Sequence, residues 1–549
     1  MRRYSTLALS NGTAMTMSPT PLPLIRAERG AAATPHYLAT QAAMGALMEG
    51  GNAIDAAVTA NAVLGVVELA ACGLGGDLLM LYRDGKTGEI TALNGSGRAG
   101  AAMTTAAYRA RGLEEMPTRG PLPVTVPGTV DAWDVALKRH GTWDLARALA
   151  PAIRYASEGF PVGRFLSSNI ARSIPDMSSD AKARYLDGGR APAVGDRLRL
   201  PDLAASMRLI AEGGRDAFYR GELAGRIASS VQAAGGLLTA EDFEAHVPAD
   251  WVTPLRGHYR GLEVLEAPPN SHGMAALLMT QILEGYDFAP DGSQAARELH
   301  LMVEAKHQAF AERDRWVADP AFMREPAPLA RLLSAEWAAE ARACIDETRA
   351  GVAVSPGGHG DTVFLTVMDR DGNAVAITQS LYWIFGSGLV AGDTGILLHN
   401  RGAGFNLDES HPNALAAGKR PFHTLAPAMA LRDGKFALAF GTRGAHGQPQ
   451  THVQLLNRIV DQRMGLAEAL AAPRWISGSV DGRDAHTLRV ESRFGSETID
   501  ALARMGHRVE VGDAWDHAVG HTNAIALDGA GGFFTAATDP RADGAAAGW

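Results

Sequence analysis

Between residues 357 and 380 the chain carries two apolar runs separated by a polar turn. In the first run, 363–368, apolar residues fill positions that face both sides of a strand, which is typical of a strand in the middle of a sheet. Residues 369–373 (DRDGN) supply turn chemistry, and 374–380 form a second, returning run. The pattern therefore predicts a β-hairpin whose first strand is central.

Helical spacing of apolar residues marks much of the chain before this hairpin. Residues 37–69 follow it, with a break at 50–52 (GGN) that ends one helix and caps the next. Residues 78–82 and 90–93 read as strands around a turn, and we expect them to pair with the hairpin. Further helices are predicted at 143–158, 203–213, 222–234 and 297–314. The pattern alone predicts a mixed α/β protein.

Composition and charge fit a soluble globular enzyme and argue against two other classes. The 549 residues carry 51 basic and 60 acidic side chains, interspersed and without a basic stripe, so we expect no nucleic-acid partner. No apolar run reaches the ~18 residues that cross a bilayer, so we expect no membrane partner. Polar residues interrupt the first thirty positions, which predicts a disordered leader at 1–30, without a secretion signal, and a cytoplasmic protein.

Cysteine and histidine usage predicts neither a disulfide nor a metal site. Cys72 and Cys344 are far apart and lie in apolar surroundings, so we expect two buried free thiols. The 17 histidines include no His-Glu-x-x-His or comparable ligand spacing. We therefore expect no metal and no cofactor.

A hydroxyl lies where the hairpin begins. Gly357, Gly358 and Gly360 give a flexible approach to Asp361, and Thr362 follows as the first residue of the strand. A threonine hydroxyl is a poor nucleophile without a base, but cleavage before Thr362 would free an α-amine of pKa roughly 7.7–8.0 that can accept the hydroxyl proton. Because a threonine at a strand start is ordinarily structural, these residues alone leave catalysis open.

Further blocks of sequence on both sides of the hairpin strengthen the hypothesis that Thr362 is catalytic. These blocks are GGNAIDAAVTANAVLGVVE (50–68), GLGGDLLMLY (73–82), PGTVDAW (127–133), GGLLTAEDF (235–243), APPNSHG (267–273), FGSGLVAGDTGILLHN (385–400), KRPFHTLAPAMAL (419–431), GTRGAHGQPQ (441–450) and TDPRADG (538–544). Taken in order with the hairpin, they resemble the γ-glutamyltransferase family of N-terminal-nucleophile hydrolases over nearly the whole chain.

The resemblance implies an α/β (α+β) fold of the four-layer αββα type, with two stacked sheets between helical layers. It also implies a zymogen that cleaves itself between Asp361 and Thr362. The products would be a large subunit, 31–361, and a small subunit, 362–549. Both would contribute strands to the sheets and remain together as an αβ heterodimer, which can pair further into a heterotetramer.

Four residues match the catalytic positions of the family. Thr362 matches the nucleophile, and Ser380 matches a hydroxyl residue that orients the free amine and its Oγ. Gly444 and Ala445 stand where the family has a Gly-Gly pair whose backbone amides hold the oxyanion. An alanine still donates its N–H, so we expect this oxyanion hole to persist if the φ of Ala445 is negative.

The substrate positions depart from the family pattern. Tyr382 stands where the family has an asparagine, the family's paired acids become Ala403-Gly404, and its Ser-Ser pair becomes His423-Thr424. The arginine that grips the α-carboxylate aligns near Ser96, with Arg98 displaced by two positions. Without the paired acids, the ammonium group of a γ-glutamyl substrate would be buried unpaired, at a cost of several kcal/mol.

The remaining pocket residues favour a carboxylate, which arginine binds through paired hydrogen bonds. The resemblance implies a pocket formed by Arg98, Tyr382, Trp383, Arg401, His423, Thr424, Arg443 and His446. Its variants are similar to a subgroup of oxamate amidohydrolases and cephalosporin-type acylases. We therefore expect hydrolysis of a small amide, with oxamate giving oxalate and ammonia; the same acyl-enzyme could also pass its acyl group to an amine. The alternatives are a γ-glutamyltransferase or glutathione hydrolase, a glutaryl-cephalosporin-type acylase, and an inactive scaffold of this fold.

Overall fold

The computed structural model describes residues 23–323, 325–352, 361–478, 485–528 and 532–549. The strands in these ranges are β1 (Ile25–Ala27), β2 (Gly30–Thr34), β3 (Asp77–Arg83), β4 (Ile90–Gly95), β5 (Phe160–Pro161), β6 (Arg197–Leu198), β7 (Asp250–Val252), β8 (Leu255–Tyr259), β9 (Leu262–Glu266), β10 (Asp361–Asp369), β11 (Ala374–Tyr382), β12 (Ala428–Arg432), β13 (Lys435–Thr442), β14 (Trp475–Ser477), β15 (Thr487–Glu491), β16 (Arg508–Gly512), β17 (Thr522–Leu527), β18 (Phe534–Thr538) and β19 (Ala545–Gly548). The α-helices are α1 (Tyr37–Met48), α2 (Ala53–Val67), α3 (Thr105–Arg109), α4 (Thr129–His140), α5 (Leu145–Glu158), α6 (Arg164–Ser173), α7 (Ser179–Tyr185), α8 (Pro201–Tyr219), α9 (Glu222–Ala233), α10 (Ala240–Glu244), α11 (Gly273–Leu283), α12 (Ala295–Trp316), α13 (Leu329–Leu332), α14 (Ala335–Ala343), α15 (Gly447–Val460), α16 (Leu466–Ala471) and α17 (Ser496–Arg504).

Two seven-stranded sheets form the centre of the molecule. The first sheet has the order β19-β2-β10-β11-β3-β4-β7, and the second has the order β1-β18-β17-β13-β12-β9-β8. All strand pairs within both sheets are antiparallel. Antiparallel sheets can bury both faces only when further layers cover them, and here helices do so on the outer faces.

Groups of buried apolar residues separate the layers. Between the sheets, Leu81 and Phe364 of the first sheet pack with Met429 and Ile525 of the second. A larger group joins the outer face of the first sheet to α1, α2, α5 and α8, and another joins the second sheet to α11, α12 and α15. The order helix, sheet, sheet, helix confirms the αββα sandwich and the α/β fold class.

The predicted hairpin is confirmed as β10 and β11. β10 lies between β2 and β11, so that Thr366 pairs with Ala33 on one side and Ala376 on the other. β11 in turn pairs with β3 along its length, as the sequence predicted. The apolar residues on both faces of β10 are buried because one face meets the second sheet and the other meets α2.

The helical predictions before the hairpin are also confirmed. The break at 50–52 separates α1 from α2, and the Asn52 side chain accepts hydrogen bonds from the backbone N–H groups of Ile54 and Asp55. This asparagine cap, with the Asp55 carboxylate bonded back to the Asn52 N–H, is a capping box that fixes the start of α2.

Each sheet contains strands from both sides of Thr362. In the first sheet β11, β19 and all of β10 except Asp361 follow position 361, and they share the sheet with β2, β3, β4 and β7, which precede it. The second sheet mixes the two halves in the same way. Strand pairs such as β2–β10 and β3–β11 would therefore still join the two halves after a break in the chain before Thr362.

Two expectations need correction. Residues 1–22 of the predicted leader lie outside the described residues, but Ile25–Ala27 form β1 and pair with β18, so the boundary at residue 30 is too late. Cys72 is buried as expected, whereas Cys344 is exposed just after α14, because that helix turns this end toward solvent. Within the described ranges, no helix is long and apolar enough to cross a membrane.

Candidate active site

Thr362 and Ser380 lie on opposite strands at the open end of the hairpin. Asp361 pairs with Tyr382 and Val363 with Gln379, so β11 carries one extra residue opposite Thr362. This is a β-bulge, a feature that commonly redirects side chains beside active sites. Both Thr362 and Ser380 are buried, and the Ser380 Oγ accepts a hydrogen bond from the Tyr382 N–H at 2.6 Å. Asp361 and Thr362 are consecutive residues of one strand, β10.

The bulge forces an unusual backbone at Tyr382. This residue has a φ of +77°, in the left-handed region that bulky side chains rarely occupy. Such strain is characteristic of functional sites, where surrounding contacts hold the residue in place. Here the Ser380 Oγ fixes the Tyr382 amide, and the Arg401 guanidinium stacks on the Tyr382 ring at 4.1 Å.

Gly444 and Ala445 lie between β13 and α15, in the second sheet's half of the molecule. β13 packs against the hairpin so closely that a Cβ on Gly441 would overlap the Phe364 ring. Gly444 has φ +120° and Ala445 has φ +44°, so the condition of a negative φ at Ala445 is not met. Ala445 adopts the left-handed region because the chain must turn sharply here: the Gly447 N–H donates to the Gly444 carbonyl and the Gln448 N–H to the Ala445 carbonyl.

The two amides nevertheless remain available. Among the described residues, none accepts a hydrogen bond from the N–H of Gly444 or Ala445. Both amides immediately precede the N-terminus of α15, a 14-residue helix whose dipole favours negative charge at that end. The positive φ of Ala445 therefore changes the expected backbone but leaves two donors beside a helix N-terminus, which suits an oxyanion.

A buried carboxylate, Asp77, organises the predicted substrate residues. Its Oδ1 accepts hydrogen bonds from the backbone N–H groups of Gly97 and Gly128, both at 3.0 Å. Its Oδ2 lies 3.2 Å from His423 Nε2, 3.5 Å from His399 Nδ1 and 3.9 Å from Arg401 Nε. The structure thus brings Arg401 and His423 together through an acid that the sequence analysis did not single out.

The charges in this cluster are shifted by their burial. Burial opposes ionisation of Asp77, but His399 and His423 hold the pKa of that carboxyl well below its usual value. Burial, with Arg401 nearby, lowers the pKa of His423 to about 3 against the pull of Asp77, so His423 is neutral near pH 7. Burial lowers the pKa of Arg401 to about 10, which keeps the guanidinium charged.

Arg401 is fully buried, and only one of its three guanidinium nitrogens makes a hydrogen bond to the described residues. Its Nη1 donates to the Thr424 Oγ1 at 3.3 Å, whereas its Nε and Nη2 have no hydrogen-bond partner within the described part of the chain. Leaving the donors of a buried cation unbonded is costly unless a ligand completes them. Tyr382, Arg401, His423 and Thr424 therefore form one group, and its free donors suit an anion.

Arg443 and Arg98 lie elsewhere. Arg443 stacks on Phe165 at 4.1 Å and donates to the His517 carbonyl. Arg98, which is partly exposed, donates to the Gly418 carbonyl and pairs with Asp319 at 3.6 Å. In the contacts of the described residues, Arg98 touches none of the other predicted site residues. It supports the start of the loop that carries His423.

A cavity of about 500 Å³ opens beside the two amides. Gly444, Arg443, His446 and Trp383 line it, whereas Thr362 is buried and is not among the described residues that line it. His446 Nδ1 accepts a hydrogen bond from Arg313 at 2.9 Å. Burial and the nearby Arg313 hold the pKa of His446 well below its usual value, so this ring is neutral.

Asp77 and His399 are the residues that sequence reasoning missed. A signal for Asp77 was present, because it is an acid at the start of the apolar strand GLGGDLLMLY, where an unpaired charge would be costly. Nothing in the sequence near His399 indicates that it contacts Asp77, which is more than 300 positions away.

Comparisons with known proteins agree with this architecture. A family model described as gamma-glutamyltranspeptidase matches residues 39–549. The glutathione hydrolase-like YwrD proenzyme of Bacillus subtilis (strain 168) is 43% identical, covering 94% of this chain and 97% of the relative. The oxamate amidohydrolase proenzyme of Klebsiella pneumoniae subsp. pneumoniae is 39% identical, covering 95% of this chain and 98% of the relative. The crystal structure of a cephalosporin acylase from Bacillus halodurans is 37% identical, with a TM-score of 0.89 over 99% of each chain.

The stacked sheets, the hairpin and these likenesses define an amide-hydrolysing enzyme with the fold of the N-terminal-nucleophile hydrolases. More specifically, the chain belongs to the gamma-glutamyltranspeptidase family. The resemblance inferred from the sequence blocks is confirmed. The roles of the individual site residues remain predictions.

Proposed function

We propose that the chain is the precursor of an N-terminal threonine amidohydrolase that acts on a small amide bearing a carboxylate. The observation that carries this proposal is the buried Arg401. Its Nε and Nη2 have no hydrogen-bond partner among the described residues, although Nε forms an ion pair with Asp77 at 3.9 Å, and the guanidinium can pair with a carboxylate. The names of both relatives, a glutathione hydrolase-like proenzyme and an oxamate amidohydrolase proenzyme, are consistent with a precursor.

Activation would begin at the peptide bond between Asp361 and Thr362. The Thr362 Oγ attacks the Asp361 carbonyl carbon, the C–N bond breaks, and the acyl group moves from nitrogen to oxygen. Water hydrolyses the resulting ester, which leaves a carboxylate on Asp361 and a free α-amine on Thr362. The interleaved strands hold the large and small fragments together afterwards as a heterodimer.

Catalysis would use the same hydroxyl. The Thr362 amine accepts the Oγ proton, Oγ attacks the substrate carbonyl, and the amides of Gly444 and Ala445 stabilise the oxyanion. Ammonia or an amine leaves with the proton, and water then hydrolyses the acyl-enzyme. Ser380, across the bulge from Thr362, orients the amine and hydroxyl.

Oxamate is the substrate that this chemistry favours. It presents one carboxylate and one adjacent amide, and it has no ammonium group. A γ-glutamyl substrate needs an acid for its ammonium group, but the carboxylate in this cluster, Asp77, already accepts two backbone hydrogen bonds and faces His399, His423 and Arg401. Glutathione is therefore disfavoured.

A glutaryl-amide acylase is the second candidate. The cavity of about 500 Å³ beside Gly444 is larger than oxamate requires, and it carries Arg443 on its wall. A glutaryl amide would place its amide near Thr362 and its distal carboxylate toward an arginine. The crystal structure of the Bacillus halodurans cephalosporin acylase matches this chain over nearly its full length, which supports an acylase activity as the second candidate.

A panel of three amides separates these activities. Cleaved protein is incubated with oxamate, a γ-glutamyl anilide or a glutaryl anilide, and ammonia or aniline release is measured. We expect ammonia from oxamate, no aniline above the Thr362→Ala background from the γ-glutamyl anilide, and slower or no release from the glutaryl anilide. Faster turnover of the γ-glutamyl anilide would contradict the proposal, and faster turnover of the glutaryl anilide would favour the acylase. A cytoplasmic location remains a prediction.

A further inference from the structure

Three side chains of types that can act as metal ligands lie together in the helical layer outside the second sheet. His300 and Glu304 are one turn apart on α12, and His507 follows α17. One ligand atom from each lies within 4.8 Å of the other two. His300 and Glu304 are buried, and His507 is half-buried. This arrangement is independent of the candidate active site.

Hydrogen bonds orient His300 for a ligand. Its Nε2 lies 2.8 Å from the Asp346 carbonyl oxygen, which can only accept, so Nε2 carries the proton. The Nδ1 lone pair therefore points to His507 Nε2, 2.8 Å away. A ring nitrogen that donates to a backbone carbonyl while the other faces the site is the usual arrangement around metal-bound histidines.

Glu304 is held in the same way. One of its oxygens accepts a hydrogen bond from the Gly351 N–H at 3.1 Å. His307 Nδ1 lies 3.6 Å from the same oxygen, and neither ring nitrogen of His307 has a hydrogen-bond partner within the described ranges. The carboxylate is thus fixed, with an additional imidazole close by.

We propose that His300, Glu304 and His507 bind a divalent first-row transition-metal ion, with zinc as the best match. Two imidazoles and one carboxylate are common zinc ligands, and water can supply the fourth position. Two nitrogens at about 2.05 Å from zinc in a tetrahedral site are about 3.3 Å apart, so the two rings must separate by about 0.5 Å. His507 lies in the short connection between α17 and β16 and can make this adjustment.

The position of the site indicates a structural role. His300 and Glu304 precede Thr362, whereas His507 follows it, so the ion would join the two fragments of a cleaved chain. The same two side chains hold the backbone at Asp346 and Gly351, close to the end of the large fragment. Metal bound only by the folded protein would raise its stability.

The spacing explains why the sequence analysis predicted no metal. His300 and Glu304 form a His-x-x-x-Glu pair on one helical face, and the third ligand lies more than 200 positions later. A two-residue pattern of this kind is frequent by chance in helices. Folding supplies the specificity, because only α17 and the connection after it bring His507 to α12.

Direct metal titration tests the proposal. Tag-free protein is stripped with a chelator, dialysed, and titrated with Zn²⁺ by calorimetry and with Co²⁺ by visible absorption. We expect one ion per chain, a cobalt spectrum of nitrogen and oxygen ligands, and a higher Tm with Zn²⁺. His507→Ala and the isosteric Glu304→Gln should each weaken binding by about tenfold or more and abolish the rise in Tm.

His258→Ala is the matched control, because His258 is exposed on β8 and remote in sequence from the three ligands. This variant should bind Zn²⁺ like the wild type. The proposal is overturned if wild-type protein binds no ion, or if His507→Ala and Glu304→Gln bind Zn²⁺ as tightly as His258→Ala, which would indicate an adventitious ion only. If His507→Ala does not fold, Glu304→Gln still decides, because it removes one charge without changing the size of the side chain.

Discussion

Ser380 on β11 is the direct cross-strand partner of Asp77 on β3. The register of β11 on β3 thereby places Ser380 opposite the carboxylate that contacts Arg401 and His423. Gly76, just before Asp77, lies so close to the Ser380 carbonyl that a Cβ there would be only 2.5 Å from the carbonyl oxygen. One pairing therefore fixes the distance between the candidate nucleophile and the candidate carboxylate-binding group.

Replacement of Thr362 tests both self-cleavage and catalysis. We expect Thr362→Ala to remain a single chain on denaturing gels and to lose amidase activity, because the hydroxyl supplies both reactions. Wild-type protein should give two fragments, with the smaller beginning at Thr362 by mass spectrometry. Thr366→Ser, a change in the same buried strand, should still be cleaved. An intact wild-type chain with full activity would contradict the assignment.

Arg401 should determine the affinity for the carboxylate. Arg401→Lys keeps a positive charge but loses the paired donors, so kcat/KM for oxamate should fall about 10- to 100-fold, as expected for a charged hydrogen bond worth about 1.5–3 kcal/mol. Arg98→Lys is the control, since Arg98 pairs with Asp319 and lies outside the group around Tyr382. Steady-state kinetics are measured for both variants. Equal losses of kcat/KM in Arg401→Lys and Arg98→Lys would refute the role of Arg401.

The sequence predicted those parts of the fold that depend on local pattern. β10 was recognisable because apolar residues occupy both of its faces, and α1 and α2 because Asn52 marks a cap between two periodic segments. β1 was missed because three residues carry no periodicity, and only their pairing with β18 makes them a strand. Contacts between distant segments supply that information.

In the candidate site, too, local features could be predicted and contacts between distant segments could not. Thr362 and Ser380 could be predicted to meet because a single hairpin joins them. The cluster of Asp77, His399 and His423 depends on three segments separated by hundreds of residues, so no spacing in the sequence reveals it. Arg98 illustrates the converse: it is near the expected alignment position, yet its side chain turns to Asp319.

The left-handed backbone of Ala445 gives a prediction about stability. Glycine adopts a positive φ without the strain that a Cβ brings, so Ala445→Gly should raise the free energy of unfolding by up to about 1 kcal/mol. The amide N–H is kept, so kcat/KM should change by less than about threefold. Denaturant titration measures the first effect and steady-state kinetics the second.

Ala439→Gly provides the comparison for this test. Ala439 is buried in the regular part of β13, where glycine adds chain entropy to the unfolded state and removes a packed methyl group. The free energy of unfolding of this variant should be lower than that of the wild type by about 1 kcal/mol or more. If both glycine variants are destabilised equally, the φ of Ala445 is not a source of strain.

The buried His423 should make the fold sensitive to acid. Its pKa is lowered from 6.5 in the unfolded chain to about 3, mainly by burial. The unfolded state therefore binds the proton first as pH falls, so stability is complete above pH 6.5 and is lost progressively toward pH 3. Asp77, which faces His423, has a pKa held well below its usual value, so the stability that it contributes is lost at lower pH than that of His423.

His423→Gln removes this titration and should flatten the pH dependence. Between pH 6.5 and 4.5, the free energy of unfolding of the parent should fall more steeply than that of the variant, by up to about 1.4 kcal/mol per pH unit. Denaturant titrations in the uncleaved Thr362→Ala background keep the measurement to one chain. His258→Gln, an exposed change on β8, should keep the parent's slope. Equal slopes for His423→Gln and its parent would mean that His423 becomes protonated without cost, and that its contact with Asp77 is formed by a charged ring.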